Sequence, residues 1–139
     1  MNTAEWYAIF CVALFAKMFA LSLVQGYYRI SRRHFQVPED AQLFGRAPAA
    51  ADLPQVQRAQ QAWRNDLESI PAFFALGAAY VMVGAPAETA PWLFGIFTLG
   101  RVAHSICYLL GLQPWRTLSY MVGIGALIGI CVVLVQTAL

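Results

Sequence analysis

Two groups of ionisable residues stand where apolar helices are expected. Arg64-Asn65-Asp66-Leu67-Glu68 runs straight into an apolar stretch at 70–85, and Arg101, His104 and Tyr108 sit inside another at 92–112. Charge at membrane depth is expensive to bury, so such residues mark a site more often than a wall. Ionisable groups on two separate spans point to a polar pocket between helices. Arg64 and Arg116 offer bidentate donors to carboxylates. Glu68 can accept from an ammonium, and Asn65 supplies both a donor and an acceptor.

Helical spacing sorts these residues into faces. Gln61, Arg64, Asn65 and Glu68 stand at i, i+3, i+4 and i+7, so they share a face. Arg101, His104 (or Ser105) and Tyr108 stand at i, i+3 and i+7; Arg116 and Tyr120 are i and i+4. Successive spans run antiparallel. The same ends of the second, third and fourth therefore bring Arg64, Asn65, Glu68, Tyr108, Arg116 and Tyr120 to a similar depth. A polar pocket opening toward the cytosol is expected there.

The helices that carry these groups follow from composition. The chain has 139 residues, 60% hydrophobic and 12% charged. A soluble domain of this length could not hide so much apolar surface. Apolar runs cover 6–28, 70–85, 92–112 and 118–139. A spanning helix needs about 20 residues, so the helix of the second run must extend into the polar residues before it. The expectation is an all-α integral membrane protein, one four-transmembrane-helix bundle over 1–139. Its spans fall near 6–30, 62–85, 91–112 and 116–138, with a cytosolic connection near 31–55.

The first run reads as a true span rather than a cleavable signal peptide: no basic segment precedes it, Glu5 does, and it is too long. Basic residues give the orientation. Arg29, Arg32, Arg33, Arg46, Arg58 and Arg64 lie between the first two spans and Arg116 between the last two, while the termini and 85–90 carry no Lys or Arg. The first and third connections are thus expected in the cytosol and both termini opposite, in a bacterial inner membrane or the endoplasmic reticulum. The net charge of +2 makes no case for nucleic acid.

Other residues carry structural expectations. Cys11, Cys107 and Cys131 lack CxxC or metal-ligand spacing and read as packing residues, with no metal site. Lys17 lies too deep to reach water, which predicts a carboxylate partner on another span. Arg101 is expected to share a buried ion network with Lys17, Asp66 or Glu68. The segments 37–40 and 47–50 read as irregular backbone. Asp52 reads as a helix N-cap with Pro54 in the first turn, and Pro71 as a kink at the interface. Gly123, Gly125, Ala126 and Gly129 favour close helix contact. Tyr27, Tyr28 and Trp115 read as interface anchors.

Together these residues resemble the signature of the MAPEG family, the membrane-associated proteins in eicosanoid and glutathione metabolism. The resemblance rests on Arg64-Asn65-Asp66-Leu67-Glu68, then Gly100-Arg101-Val102-Ala103-His104 with Tyr108, then Arg116-Thr117 and Tyr120. Lys17-Met18, Arg29 and Pro38-Glu39-Asp40 also fit. It covers nearly the whole chain and is strongest toward the branch of microsomal glutathione transferase 1 and the microsomal prostaglandin E synthase. It implies a homotrimer of four-span subunits that binds glutathione between subunits near the cytosolic face. By position, Arg64, Asn65, Glu68, His104, Tyr108, Arg116 and Tyr120 would contact glutathione, and Arg29 would reach in from a neighbouring subunit. Arg116 would hold the thiolate, with Thr117 or Tyr120 hydrogen-bonding the sulfur. The pattern is broken at Gln61, where an arginine for a glutathione carboxylate is usual, with Arg58 one turn earlier as its substitute. Trp63 and Thr117 also depart from it, Thr117 standing in place of a serine.

The resemblance implies a membrane-bound, detoxifying glutathione transferase. A free thiol has a pKa of about 8.5, and a nearby guanidinium lowers it. The thiolate would then conjugate lipophilic electrophiles arriving from the bilayer, or reduce lipid hydroperoxides. The alternatives are a glutathione-dependent isomerase of the prostaglandin E synthase type and a non-catalytic scaffold that keeps the fold.

Overall fold

The computed structural model describes residues 1–139 and is helical, with no strand. α1 spans Thr3–Arg32, α2 Pro38–Leu43, α3 Pro54–Met82, α4 Ala90–Leu110 and α5 Trp115–Ala138. α1, α4 and α5 are long and apolar enough to cross a membrane. α3 matches them in length, but its first half is polar.

Local chemistry sets the helix ends. Asn2 accepts from the Glu5 amide (2.8 Å) and Glu5 accepts from the Asn2 amide (2.9 Å), a reciprocal capping box that opens α1. Gly111, at φ 70°, closes α4 in the left-handed conformation that glycine adopts without strain. Residues 37–40 are not irregular: they open α2, with Pro38 in its first turn beside Glu39 and Asp40. Proline fixes a helical φ there without losing a bond, and the two carboxylates suit the positive end of the helix.

Asp52 does not cap α3. Leu53 holds that position without a side-chain bond. The Asp52 carboxylate is taken instead by Arg29, whose Nε and Nη2 donate at 3.2 and 2.7 Å, and by Gln60 Nε2 at 3.0 Å. A two-pronged bond to a guanidinium is stronger than a bond to a neutral amide, so the cation wins the carboxylate. Pro54 does start the helix, and α3 continues unbroken through Pro71.

The core is aromatic and lies between α1, α3, α4 and α5. Phe73, Tyr80, Phe94 and Phe97 are fully buried. Phe73 stacks on Phe97 with ring centres 4.8 Å apart, and Phe94 meets Phe73 edge-on at 5.3 Å. These arrangements suit the ring quadrupoles. Outward faces are apolar too: Val12, Phe15, Phe19 and Leu23 on α1, and Met121, Val122, Ile128 and Val132 on α5, are exposed. Cys11 packs on the core, whereas Cys131 is exposed and is not a packing residue within the chain. Cys131 belongs to the outer face of α5, a side that hydropathy alone could not assign.

Small residues let α4 and α5 approach. A Cβ on Gly100 would meet the Gly123 amide nitrogen and the Ser119 carbonyl oxygen, each at 3.2 Å. Both are backbone atoms of α5 and cannot rotate away. Gly125, by contrast, faces open space. Gly100→Val is therefore expected to lower stability by about 1–3 kcal/mol through overpacking. Gly125→Ala should be neutral or raise stability by up to about 1 kcal/mol from helix propensity. Thermal unfolding of the two variants in one detergent checks the contrast.

Candidate active site

Three helices meet at a buried ion network. Lys17 on α1 donates to Asp66 Oδ2 on α3, and Arg101 Nη2 on α4 donates to Asp66 Oδ1 at 2.7 Å. The same Nη2 donates to Asn65 Oδ1 at 2.7 Å. Arg101 and Asp66 are fully buried, and Lys17 is nearly so. The expected carboxylate partner of Lys17 is thus Asp66. Glu68, the other candidate, is exposed and takes no part. Two positions along a helix turn the chain by more than half a circle, which sends Asp66 inward and Glu68 out.

A cavity of about 220 Å³ opens beside this network, lined by Asn65, His104, Tyr108, Arg116, Thr117 and Tyr120. It joins α3, α4 and the first two turns of α5. His104 Nδ1 lies 3.0 Å from the Arg116 carbonyl oxygen and donates to it in that tautomer. Its ring meets Tyr108 edge-on at 5.7 Å and Tyr120 at 5.9 Å. His104 thus braces α5 and is nearly buried.

Arg116 is held from two sides. Its guanidinium carbon lies 4.6 Å from the centre of the Tyr108 ring, a cation–π contact. With the Gln113 amide turned so that its oxygen faces the cation, Gln113 accepts from Arg116 Nη2 at 2.6 Å and Nε at 3.2 Å. Its nitrogen then donates to Thr117 Oγ1 at 3.2 Å. A guanidinium has only donors, so this orientation is the one chemistry requires. No carboxylate pairs with Arg116, and its charge faces the cavity unneutralised.

The remaining candidates lie elsewhere in the chain. Arg64 and Glu68 are exposed on α3 and do not line the cavity. The inward stripe of α3 runs through Ala62, Asp66, Ser69 and Phe73, so the face of Gln61, Arg64 and Glu68 looks away from the bundle. Arg29 is bound to Asp52, away from the cavity. Arg58 donates weakly (3.4 Å) to the Leu109 carbonyl at the end of α4, where a cation suits the helix dipole. Spacing alone did not reveal Gln113; a glutamine three residues before Arg116 was the available signal.

The MAPEG family profile matches residues 7–136. The chain belongs to the MAPEG family. Among relatives, microsomal glutathione S-transferase 1 of Homo sapiens is 33% identical over 138 residues, 96% of this chain and 89% of that protein. Prostaglandin E synthase of Bos taurus is 37% identical over 114 residues, 81% of this chain and 74% of that protein. Microsomal glutathione S-transferase 1 of Rattus norvegicus is 33% identical over 135 residues, 94% and 87% of the two chains. Membership of this membrane family, with the three apolar helices, makes the chain a membrane protein.

One link of this MAPEG chain ties its polar connection to the bundle. Asp52 is nearly buried, and its bonds from Arg29 and Gln60 join α1, the 44–53 segment and α3. Asp52→Ala is expected to cost about 1–3 kcal/mol, because Arg29 loses its acceptor in a half-buried setting. Limited proteolysis should cut between 44 and 53 faster in that variant.

Proposed function

We propose that the protein is a glutathione transferase of the membrane, with Arg116 holding the glutathione thiolate. The observation that carries this reading is the braced, unneutralised guanidinium of Arg116, facing a cavity shared with Thr117 and Tyr120. A fixed cation beside a thiol favours the thiolate, the reactive form. Thr117 and Tyr120 add hydroxyl donors to the sulfur. The thiolate then attacks an electrophilic carbon, forming a C–S bond as the leaving group departs; proximity and an activated nucleophile suffice. In reduction of a lipid hydroperoxide the same thiolate attacks the terminal oxygen, the O–O bond breaks and the alcohol leaves. A second glutathione then turns the sulfenic acid into disulfide and water.

On this reading Asn65, His104 and Tyr108 bind glutathione together with Arg116 and Tyr120, and Arg64 and Glu68 join them when a second copy covers their face. Two observations support that cover. The cavity, at about 220 Å³, is below the roughly 300–1,000 Å³ of sites that enclose a ligand. Arg64 and Glu68 stand exposed on the α3 face that turns away from the bundle. The assembly is a homotrimer with inter-subunit sites. Arg29 enters from a neighbour; Asp52 binds its Nε and Nη2, leaving Nη1 for a ligand carboxylate. α3 is the fourth span, its polar first half standing in the cytosol, with the site on that side and both termini opposite.

A glutathione-dependent isomerase is the second reading, favoured by the 37% identity to prostaglandin E synthase. The test is product analysis. Protein in lipid vesicles receives glutathione with an activated aryl halide or an organic hydroperoxide. Thioether or alcohol formed above the uncatalysed rate supports the transferase. Glutathione binding with neither product favours the isomerase. No glutathione binding overturns both.

A further inference from the structure

The ion network beneath the cavity is unbalanced. Lys17, Arg101 and Asp66 bring two cations and one carboxylate together, Arg101 and Asp66 fully buried and Lys17 nearly so. Each oxygen of Asp66 serves a different cation, so neither cation has a carboxylate of its own. Arg101 Nε has no partner although it is buried. The other charged or titratable groups nearby are His104 on α4, bonded to a carbonyl, and Arg116 on α5, a further cation. An uncompensated buried positive charge is costly. The Asn65 side of the cavity is where a compensating anion can enter, since Asn65 both lines the cavity and touches Arg101.

The network also fixes which way Asn65 points. Its Oδ1 accepts from Arg101 Nη2. Guanidinium groups only donate, so the amide cannot turn over without setting donor against donor. The Nδ2 group is left for the cavity and presents donors alone.

We propose that Lys17, Asp66 and Arg101 act as positioning residues that lock Asn65 as a donor toward the cavity and make the site select an anionic, acceptor-only group there. Carboxylate and thiolate both meet that requirement; an ammonium does not. Lys17 acts at a distance. It does not line the cavity, yet it sets the charge surplus and holds Asp66, which holds Arg101. The proposal rests on the glutathione reading only for the identity of the ligand; any small anion tests the lock itself.

The experiment uses the full-length protein in detergent, with glutathione and inorganic sulfate as separate probes. Binding is read by calorimetry and by the rise in unfolding temperature. Four proteins are compared: wild type, Lys17→Met, Lys17→Arg and Asn65→Asp. Lys17→Met leaves Asp66 and Arg101 a neutral pair, so both anions should bind about tenfold more weakly for want of one nearby positive charge. Lys17→Arg restores the charge and should restore binding. Asn65→Asp keeps the bond to Arg101 but turns an acceptor to the cavity, and should weaken both anions further.

Tighter glutathione binding in Asn65→Asp would mean that Asn65 meets the ammonium, and would overturn the proposal. So would unchanged glutathione and sulfate affinity in Lys17→Met, with the glutathione reading left intact. Sulfate binding that follows this pattern without glutathione binding would uphold the lock and remove the glutathione reading. Failure of both anions to bind wild type would overturn the lock. Should Lys17→Met not fold, the direction of the Asn65→Asp effect decides.

Discussion

Asp66→Ala is expected to lower the stability of the folded protein by about 3–5 kcal/mol, the usual penalty for removing one partner of a buried ion pair. Asp66 is the sole carboxylate for both Lys17 and Arg101, and it joins α1 to α3 and α3 to α4. Its loss leaves two buried cations facing each other with nothing between them. Arg101 also loses the anchor that holds it against Asn65. Asp66→Asn should be milder, because an amide oxygen still accepts one of the two bonds. The measurement is thermal unfolding in detergent together with the yield of monodisperse protein. A variant that unfolds at the wild-type temperature would mean the network carries no net stability.

Arg116→Ala is expected to lower kcat for conjugation by about 10²–10³, the range for losing one preorganised group that stabilises developing charge. On the transferase proposal the wild-type guanidinium needs no reorganisation as a thiolate forms, because Gln113 and the Tyr108 ring already fix it. Arg116→Lys should recover only part of the rate. An ammonium keeps the charge, but it cannot make the planar fork to Gln113 and stacks less well on Tyr108. Steady-state rates at saturating glutathione separate this from a binding defect. A raised KM with unchanged kcat would make Arg116 a binding group only.

Much of this arrangement is legible in the sequence because membrane helices make polar residues conspicuous. Lys17, Arg101 and Asp66 each stand out against apolar neighbours, and depth alone predicts that Lys17 finds a carboxylate. The meeting of Asn65, Tyr108, Arg116 and Tyr120 follows from helical period and antiparallel order. What periodicity could not give is the direction of a face. Gln61, Arg64, Asn65 and Glu68 do share one side of α3, but the bundle packs on Asp66, Ser69 and Phe73. Only Asn65, at the edge of that side, reaches the cavity. Local rules also failed where a distant partner intervened. Asp52-Leu53-Pro54 has the look of a capped start, yet Arg29, 23 residues away, claims the carboxylate. Pro38-Glu39-Asp40 reads as irregular, turn-prone backbone, whereas proline at the first helical position starts a helix.

Arg116 is expected to stabilise glutathione as its thiolate. Ultraviolet difference absorbance of the thiolate, with purified protein and glutathione at neutral pH, tests it without choosing a second substrate. A thiolate band is expected with wild type and absent from Arg116→Ala, although the variant still folds. A band of equal size in Arg116→Ala would contradict it and move the activating role to another group lining the cavity.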